Sequence, residues 1–523
     1  MSRTRAAARS RLTVHPLEDR RTPTVLPAGF TETLVTTNSN LSSPTAMEFS
    51  PTGELWVLEQ TGAVKLVRAD GTTHTALSLT VDSAGERGLL GIAFDPQYDG
   101  AGPNADLVYL YLTVPRANST DPANNLIRRY TVTGAGTTTP TLGSAQLIRE
   151  LPPEDEDNNL TTNGDTNHNG GAMHFGPDGK LYVAVGDHNY DNTPQSQHVS
   201  QVTSNPFGKL LRLNPDGSNP ADNPFYTGSG TDWAGSIYAL GLRNPYTFAV
   251  NPANGTIFIN DVGESAWEEI NRAERAANYG WAGSTSPLWE GFEPTAPWTN
   301  YRDPVMAYDH TAGGVSPAGV AITGGAFYPA NSQFGAAYAG KYFYSDYGAA
   351  FIRVFDPANP GTPATPDTST GFASQVPAAV DLKVDAAGNL FYLSRGGTGE
   401  IFRISFQAPA ISQHPTDVTV DAGQPATFNV TAAGGAPLSY QWQKFVASTW
   451  TTVAGATAAS YTIPVTAAAD AGQYRVVVTN SAGSATSNPA TLTVNTVNQP
   501  PDITDQPDNQ SVSVGQPAGF TVV

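Results

Sequence analysis

Residues 50–67 read SPTGELWVLEQTGAVKLV, in which a Gly-centred turn leads into an alternating apolar strand and a second Gly turn leads into another strand. The pattern recurs in FGPDGKLYVAVGD (175–187), NPANGTIFINDVG (251–263) and VDAAGNLFYLSRGGTGEIFRI (384–404). Such a unit buries only one face, and a propeller covers that face with the next blade. The repeats therefore predict an all-β propeller over residues 27–406. They permit roughly five to eight blades, and an array of β-sandwiches is the alternative.

The composition agrees with an all-β protein and limits its partners. The 523 residues include 51 Gly and 41 Pro, and only 14% are charged. A net charge of −19 repels phosphates and anionic lipids, which argues against nucleic acid as a partner. Cysteine is absent, so a metal must be held by oxygen or imidazole. No stretch approaches the roughly 18–20 apolar residues of a membrane helix, and we expect no membrane span.

Residues 1–26 are expected to form a separate basic leader. The segment is rich in arginine and lacks the apolar core of a standard signal peptide. Its second half, VHPLEDRRTPTVLP (14–27), resembles segments that begin some bacterial exported proteins. We therefore expect an exported protein located outside the cell, in the periplasm or at the cell surface. A disordered leader without such a meaning is the alternative.

Residues 411–495 predict an immunoglobulin-like β-sandwich. Trp442, in SYQWQK, is typical of the C strand of such domains. Asp470, Gly472 and Tyr474 form the D-x-G-x-Y corner, in which the Tyr hydroxyl bonds to upstream backbone. Without cysteine, apolar packing around Trp442 must replace the usual disulfide.

A second immunoglobulin-like repeat is expected to begin directly after the first. The segment QHPTDVTVDAGQPATF (413–428) recurs as DQPDNQSVSVGQPAGF (505–520). Residues 503–523 therefore predict the start of a second, truncated repeat. Repeats of this kind suit contacts with a cell surface or an extracellular matrix.

Polar residues that propeller packing does not require lie at strand ends. The richest segment is NGDTNHNGGAMHFGPDGKLYVAVGD (163–187), where His168 occupies a Gly/Asn-rich loop before a strand. An imidazole titrates near neutral pH and can accept a proton from a substrate hydroxyl. Taken alone, a loop histidine is more often a surface residue than a catalytic one.

Several motifs in this order resemble the soluble glucose/sorbosone dehydrogenase family, over nearly all of residues 27–406. The motifs are the His168 block, SAGERGLLGIAFDP (83–96), GKLLRLNPDG (208–217), YALGLRNPYTFAVNPANG (238–255), DVGESAWEEIN (261–271) and NYGWAG (278–283). The resemblance implies a six-bladed propeller that oxidises a sugar with pyrroloquinoline quinone (PQQ) and passes the electrons to an external acceptor. His168 would be the general base, with Arg243 and Asn244 contacting substrate and cofactor. A structural salt bridge is the alternative for Arg243.

The resemblance also implies calcium ions at the turns after residue 261. The carbonyls of Gly263 and Glu264 would face the calcium that holds the quinone. A structural calcium would use Glu269, the carbonyl of Tyr279 and Glu290. Hard cations do require several oxygen ligands of this kind. An ordinary acidic turn is the alternative.

The predicted cofactor contacts are Glu86, Arg243, Asn244 and Asp381, and they include departures from the family pattern. Well-known members carry a lysine and an R-x-R-D segment whose cations bind the carboxylates of PQQ. Here the segment reads QVPAAVDLKVD (375–385), so Asp381 is retained without the arginines, and Glu86 replaces a glutamine. These features resemble the branch of hedgehog-interacting-type propellers. A secreted carbohydrate- or protein-binding propeller without cofactor is therefore the second functional hypothesis.

Overall fold

The computed structural model shows an all-β protein with two compact units, one ending at Phe406 and the other beginning at Gln407. Short 3-10 helices occur at Ala234–Ser236 and Ala468–Asp470. Within the described ranges, no helix is long and apolar enough to cross a membrane. The predicted leader lies outside these ranges as far as residue 22. The described residues are 23–37, 41–100, 106–115, 124–152, 166–189, 198–283, 290–293, 297–310, 320–330, 332–496 and 502–523.

The first half of the propeller unit begins with one strand that belongs to the last blade and continues with the strands of three blades. Gly-centred turns separate the strands, as the repeats predict. The strands are β1 (Phe30–Leu34), β2 (Pro44–Phe49), β3 (Leu55–Glu59), β4 (Ala63–Val67), β5 (Thr73–Ser78), β6 (Leu89–Phe94), β7 (Leu107–Val114), β8 (Asn124–Thr133), β9 (Thr141–Leu142), β10 (Gln146–Glu150), β11 (Met173–Phe175), β12 (Leu181–Val185), β13 (Lys209–Leu213) and β14 (Ile237–Leu240).

The second half of the propeller unit contains the strands of the other three blades. Most of their residues are buried, because each blade is covered by a neighbour on both faces. The strands are β15 (Asn244–Val250), β16 (Ile257–Val262), β17 (Trp267–Arg272), β18 (Met306–Asp309), β19 (Ile322–Phe327), β20 (Tyr342–Asp346), β21 (Phe351–Phe355), β22 (Thr370–Ser374), β23 (Ala379–Val384), β24 (Leu390–Ser394) and β25 (Glu400–Phe406).

In the described part of the chain these strands form six antiparallel sheets. Their orders are β2-β3-β4-β5, β10-β8-β7-β6 with β9 added on β8, β11-β12-β13-β14, β15-β16-β17-β18, β19-β20-β21-β22, and β1-β25-β24-β23. Adjacent sheets meet through strands β2, β6, β11, β15, β19 and β23, and β23 in turn contacts β2. We call these the innermost strands. The chain is therefore a closed six-bladed propeller, as predicted.

The last blade is completed by the strand that comes first in the sequence. β1 pairs with β25 in antiparallel register, with Phe30 opposite Phe406 and Leu34 opposite Phe402. The Phe30 ring also lies edge-on to Phe334, with 4.7 Å between ring centroids. This pairing hydrogen-bonds the two ends of the ring together and leaves no open gap between first and last blade.

A short motif repeats where the innermost strands end. Five of these six strands, as described, end in a large apolar residue that is followed two positions later by proline. Proline lacks an N–H and stops the hydrogen-bond ladder, while the apolar side chain faces the end of the central channel. The pairs are Phe49 and Pro51, Phe94 and Pro96, Phe175 and Pro177, Val250 and Pro252, and Phe327 and Pro329. We call this the Phe-Pro end of the channel.

The second unit is a smaller all-β body built around Trp442. The Trp442 side chain is fully buried, and Phe428 stacks on Tyr474 with 5.1 Å between ring centroids. The Tyr474 hydroxyl donates to the Asp470 carbonyl oxygen at 2.8 Å, the contact that the D-x-G-x-Y motif predicts. The strands are β26 (Ala410–Gln413), β27 (Val418–Asp421), β28 (Ala426–Asn429), β29 (Thr431–Ala433), β30 (Ser439–Val446), β31 (Thr449–Thr452), β32 (Ser460–Ile463), β33 (Gly472–Asn480), β34 (Gly483–Thr486) and β35 (Ala490–Asn495).

The sheets of the second unit pack against one another through these aromatic side chains. The main sheet has the order β27-β35-β33-β30-β31 with β34 on β33, and smaller sheets pair β28 with β32 and β26 with β29. Residues 502–523, the predicted start of a second repeat, are described and form no strand. The immunoglobulin-like assignment of residues 411–495 and of this segment stays a prediction.

Candidate active site

A cavity of about 290 Å³ opens at the end of the channel where the innermost strands begin. The strand next to each innermost strand runs antiparallel to it, so the residues that follow these second strands reach the same end. Tyr347 and Arg395 follow β20 and β24 in this way. We call this end the channel mouth. The six blades contribute, in order, Thr45, Leu90, Gly170, Asn244, Thr323 and Val380 to its wall.

His168 lies beside this cavity, in the loop that precedes β11, and is 8% exposed. Its Nδ1 atom is 2.6 Å from Oδ1 of Asp187. The His168 backbone has a φ of 55°, in the left-handed region that non-glycine residues rarely adopt. Gly186 packs directly on this backbone, and a Cβ at that position would clash with the His168 carbonyl oxygen. The loop geometry therefore holds the imidazole against Asp187.

Asp187 determines which nitrogen of His168 carries the proton. Its other oxygen, Oδ2, accepts a hydrogen bond from Nε1 of Trp281 at 2.6 Å. Burial alone would raise the pKa of Asp187, but the hydrogen bond with His168 and the charges of His168, His198 and Arg243 together outweigh burial, and the pKa lies below its ordinary value. An ionised carboxylate only accepts hydrogen bonds, so Nδ1 of His168 is the donor. Nε2 then keeps the lone pair that a general base needs.

Direct contacts join four of the predicted site residues at the mouth. Oε2 of Glu86 accepts a hydrogen bond from the main-chain N–H of His168 at 2.7 Å and one from Nδ2 of Asn244 at 3.5 Å. The main-chain N–H of Asp187 donates to the carbonyl oxygen of Arg243 at 2.8 Å. Glu86, His168, Arg243 and Asn244 therefore form one connected group.

Arg243 forms an ion pair, as the alternative interpretation of this residue as a structural salt bridge expects. Its guanidinium donates to the carboxylate of Glu264 and, at 3.1 Å, to the carbonyl oxygen of Val262. It also lies over the ring of Trp281, 5.3 Å from the centroid. Two buried polar atoms of the group, Nε of Arg243 and Oδ1 of Asn244, have no hydrogen-bond partner among the described residues. These atoms can bind a polar ligand.

Asp381 lies deeper in the channel and does not join this group. Its carboxylate accepts hydrogen bonds from the main-chain N–H of Met47 at 2.9 Å and from Nζ of Lys383 at 3.1 Å. Burial raises the pKa of Asp381. Glu48 completes this deeper cluster, 3.6 Å from Nζ of Lys383, and burial raises its pKa to about 7.

The residues predicted to bind calcium meet at the turn after β16 but face hydrogen-bond donors. The carboxylate of Glu290 accepts main-chain N–H groups of Glu264 and Ala266, the second at 3.1 Å. Glu269 accepts the main-chain N–H of Gly291 at 2.5 Å. The carboxylate oxygens of both glutamates are thus bound to the protein itself.

The same turn carries closely spaced buried carboxylates. Burial raises the pKa of Glu269 well above its ordinary value, and the charges of Asp261 and Glu290 raise it further. Gly263 follows β16 directly, and Tyr279 is buried with its hydroxyl donating to the carbonyl oxygen of Arg272 at 2.5 Å. In the ranges that the structure describes, no three His, Asp or Glu side chains are arranged to hold a metal ion.

Sequence reasoning missed two residues at the mouth, Asp187 and Arg395. Asp187 closes the strand motif that follows His168, and Arg395 follows β24 in the last blade. Arg395 lines the cavity and donates to Oε1 of Gln60. The signal that could have found both is their position just after the second strand of a blade, which places a residue at the mouth.

Comparison with models of protein families shows to which family the propeller is related. The model of a family described as glucose/sorbosone dehydrogenase matches residues 41–344, more than half of the chain. The chain belongs to this family. The glucose/sorbosone dehydrogenase match contains every mouth residue discussed above except Tyr347, Val380 and Arg395. A separate domain model of unknown function matches residues 411–496.

The names of the individual proteins that are similar to this chain describe different kinds of protein. Quinoprotein glucose dehydrogenase B of Acinetobacter calcoaceticus is 32% identical over 46% of this chain and 51% of that protein. Hedgehog-interacting protein of Homo sapiens is 28% identical over 42% of this chain and 32% of that protein. The chain thus spans about half or less of these relatives. The PQQ-bound aldose sugar dehydrogenase of Streptomyces coelicolor has a TM-score of 0.54 at 22% identity, over 73% of this chain and 99% of that structure, which shows the fold.

Proposed function

We propose that this protein is a PQQ-dependent dehydrogenase that oxidises a hydroxyl group of an aldose or related sugar at the channel mouth. The observation that carries the proposal is the His168–Asp187 pair beside a cavity walled by all six blades. Membership of the glucose/sorbosone dehydrogenase family supports an oxidoreductase of this type. The proposal places the protein outside the cytoplasm, with its second unit available for surface contacts.

The mouth has the chemistry to hold a quinone with several acceptor groups. Nε of Arg243 lacks an acceptor and Oδ1 of Asn244 lacks a donor among the described residues. Arg395 adds a positive charge to the wall, whereas Glu86 adds a negative one. Arg243 and Asn244 would hold the group, which when bound supplies the acceptor for the hydride.

His168 would act on the sugar hydroxyl. As the hydride leaves the carbon, Nε2 of His168 takes the hydroxyl proton, and the carbon–oxygen bond becomes a double bond. Asp187 directs the proton of neutral His168 to Nδ1, which leaves Nε2 as the proton acceptor, and it stabilises the imidazolium after the step, because its carboxylate stays bound to Nδ1 at 2.6 Å. Trp281 fixes Asp187 from the other side.

We also propose that a calcium ion binds near the turn after β16, and this second proposal rests on different observations. The charges of Asp261 and Glu290 act on buried Glu269, and a nearby cation would relieve their repulsion. Against this, the carboxylates of Glu269 and Glu290 accept main-chain N–H groups, an arrangement that does not fit metal ligation. No step of the reaction is therefore assigned to calcium.

The second candidate is a carbohydrate- or protein-binding propeller without a quinone. Two observations favour it: Arg243 is already paired with Glu264, and Glu86 places negative charge where an anionic cofactor would bind. A binding propeller predicts that the wild-type protein shows no quinone-dependent turnover.

Replacement of His168 tests the proposal directly. With saturating PQQ and calcium, the wild type should reduce a redox dye with at least one aldose of a panel, the dye standing in for the external electron acceptor. His168→Gln should lower this turnover by about 10²–10⁴-fold, the usual contribution of a general base, with unchanged quinone affinity.

The matched control is His74→Gln. His74 lies on the outer strand β5 and contacts the Pro140 carbonyl oxygen at 2.9 Å, far from the mouth in its blade. This variant should behave as the wild type. A wild type that is inert toward every aldose would refute the dehydrogenase, and full activity of His168→Gln would remove His168 as the base.

A further inference from the structure

Arg395 makes its side-chain hydrogen bond with a neutral residue and forms no ion pair within the described part of the chain. Among the described residues that line the mouth cavity, Arg395 is the only one with a positively charged side chain. Its position is fixed by the last blade, because its main-chain N–H donates to the carbonyl oxygen of Ala378 at 3.0 Å. Its guanidinium donates to Oε1 of Gln60, which is a neutral partner. Glu86 lines the same cavity, but its carboxylate binds His168 and Asn244.

Gln60 holds the guanidinium in place without neutralising it. Nε2 of Gln60 donates to the carbonyl oxygens of Gly85 and Arg87, both at 2.7 Å. Oε1 of Gln60 is therefore the atom directed at Arg395. A guanidinium has five N–H donors, and the bond to Gln60 occupies one of them. The remaining donors suit a planar anion, because a guanidinium and a carboxylate match in a two-bond arrangement.

The start of the first strand of the last blade offers no such charge, and Lys383 further along the strand is already paired with Asp381. Ala378, Ala379 and Val380 precede Asp381, and Val380 itself lines the cavity. The end of β24 lies beside this strand, since Ala379 pairs with Ser394. Arg395 therefore places a positive charge beside the start of this strand, where the strand itself has no charged side chain.

We propose that Arg395 binds a carboxylate of PQQ and supplies the positive charge that the start of the first strand of the last blade lacks. The inference rests on the proposed function, because it concerns the same cofactor. It adds a binding residue from a different strand end. It also explains how a mouth that contains Glu86 can accept an anion.

The test measures the dissociation constant of PQQ by calorimetry on the full-length protein in the presence of calcium. Arg395→Gln should weaken binding by about 10- to 100-fold, the range for loss of a charged hydrogen bond. Arg395→Lys keeps the charge and should lose less than Arg395→Gln. The control Arg302→Gln removes an arginine that pairs with Glu274 on the surface, and its affinity should equal that of the wild type.

A further variant separates charge from loop positioning. Gln60→Leu removes the contact with Arg395 and both bonds to residues 85 and 87 but keeps the guanidinium. If Arg395 acts by its charge, Gln60→Leu should lose less affinity than Arg395→Gln, and added salt should weaken the wild type more than Arg395→Gln.

The outcomes distinguish this inference from the proposed function. A wild type that does not bind PQQ would refute both. A wild type that binds PQQ while Arg395→Gln binds equally well would refute the role of Arg395 alone. Equal losses in Gln60→Leu, Arg395→Gln and Arg395→Lys would also overturn it, because Arg395 would then act through the loop.

Discussion

The two ends of the propeller channel are built by the same six innermost strands and differ in what they repeat. At the Phe-Pro end, five blades contribute the same pair of residue types. At the channel mouth, the six wall residues share no common type: two are threonine, Thr45 and Thr323, and the other four are Leu, Gly, Asn and Val. Residues that repeat around the ring therefore build the fold, and residues that break the repeat are available for chemistry.

The mouth and the deeper part of the channel also differ in how their charges are balanced. Below the mouth, Lys383 is shared between Asp381, at 3.1 Å, and Glu48, at 3.6 Å. At the mouth, Arg395 has a neutral partner in Gln60. A paired charge in the channel contributes to structure, whereas the charge of Arg395 is available to a ligand.

The largest effect on stability is expected at the Phe-Pro end. Phe94 is 7% exposed and packs edge-on against Trp56 and Tyr98, with ring centroids at 5.9 and 5.1 Å. Phe94→Ala should lower the free energy of unfolding of the propeller by about 3–5 kcal/mol in urea, because it leaves a cavity in the core. PQQ affinity of the folded protein should not change.

The control for this prediction is Phe445→Ala in the second unit. Phe445 is 40% exposed, so the same substitution should cost far less. A loss below about 1 kcal/mol for Phe94→Ala would show that the repeated aromatic residues do not build the fold.

An intermediate effect is expected at Asp187, and it should appear in activity rather than in stability. Asp187→Asn keeps the shape of the side chain but removes the charge that holds Nδ1–H of His168. With the tautomer no longer fixed, turnover at saturating PQQ should fall by up to about 10⁴-fold. Unchanged turnover would mean that Asp187 does not position the base.

The smallest effect is expected from calcium removal. A ligand that binds only the native state stabilises it by RT ln(1 + [L]/Kd). If calcium binds near the turn after β16, a chelator should lower the melting temperature of the propeller by about 2–5 °C. An identical melting curve with and without chelator would eliminate calcium from the account.

Much of the fold could be predicted because its signals are local. The segment 50–67 became β3 and β4, and the segment 384–404 became β24 and β25. The closure of the ring could not be predicted in this way. Residues 30–34 form an ordinary alternating strand, and nothing local indicates that Phe30 pairs with Phe406. The blade number was also left open by the Gly-turn repeats, although the Phe-Pro pairs recur in five blades.

Only those site residues that lie within recognisable sequence motifs could be predicted. His168, Glu86, Arg243 and Asn244 lie in motifs along the chain, and the structure brings them together. The other residues at the mouth are placed there by the strand topology of the propeller, which the motifs do not reveal. Arg395 comes from the end of a second strand, and sequence reasoning searched for cations before the first strand of that blade. Whether the predicted residues bind cofactor or metal stays a prediction.

A crystal structure of the wild-type protein saturated with PQQ tests the central claim most directly. The account predicts the quinone at the channel mouth, beside His168 and with a carboxylate bonded to Arg395. Density for the quinone at the Phe-Pro end, or no density in saturated crystals, would contradict the claim that the non-repeated end of the channel is the active site.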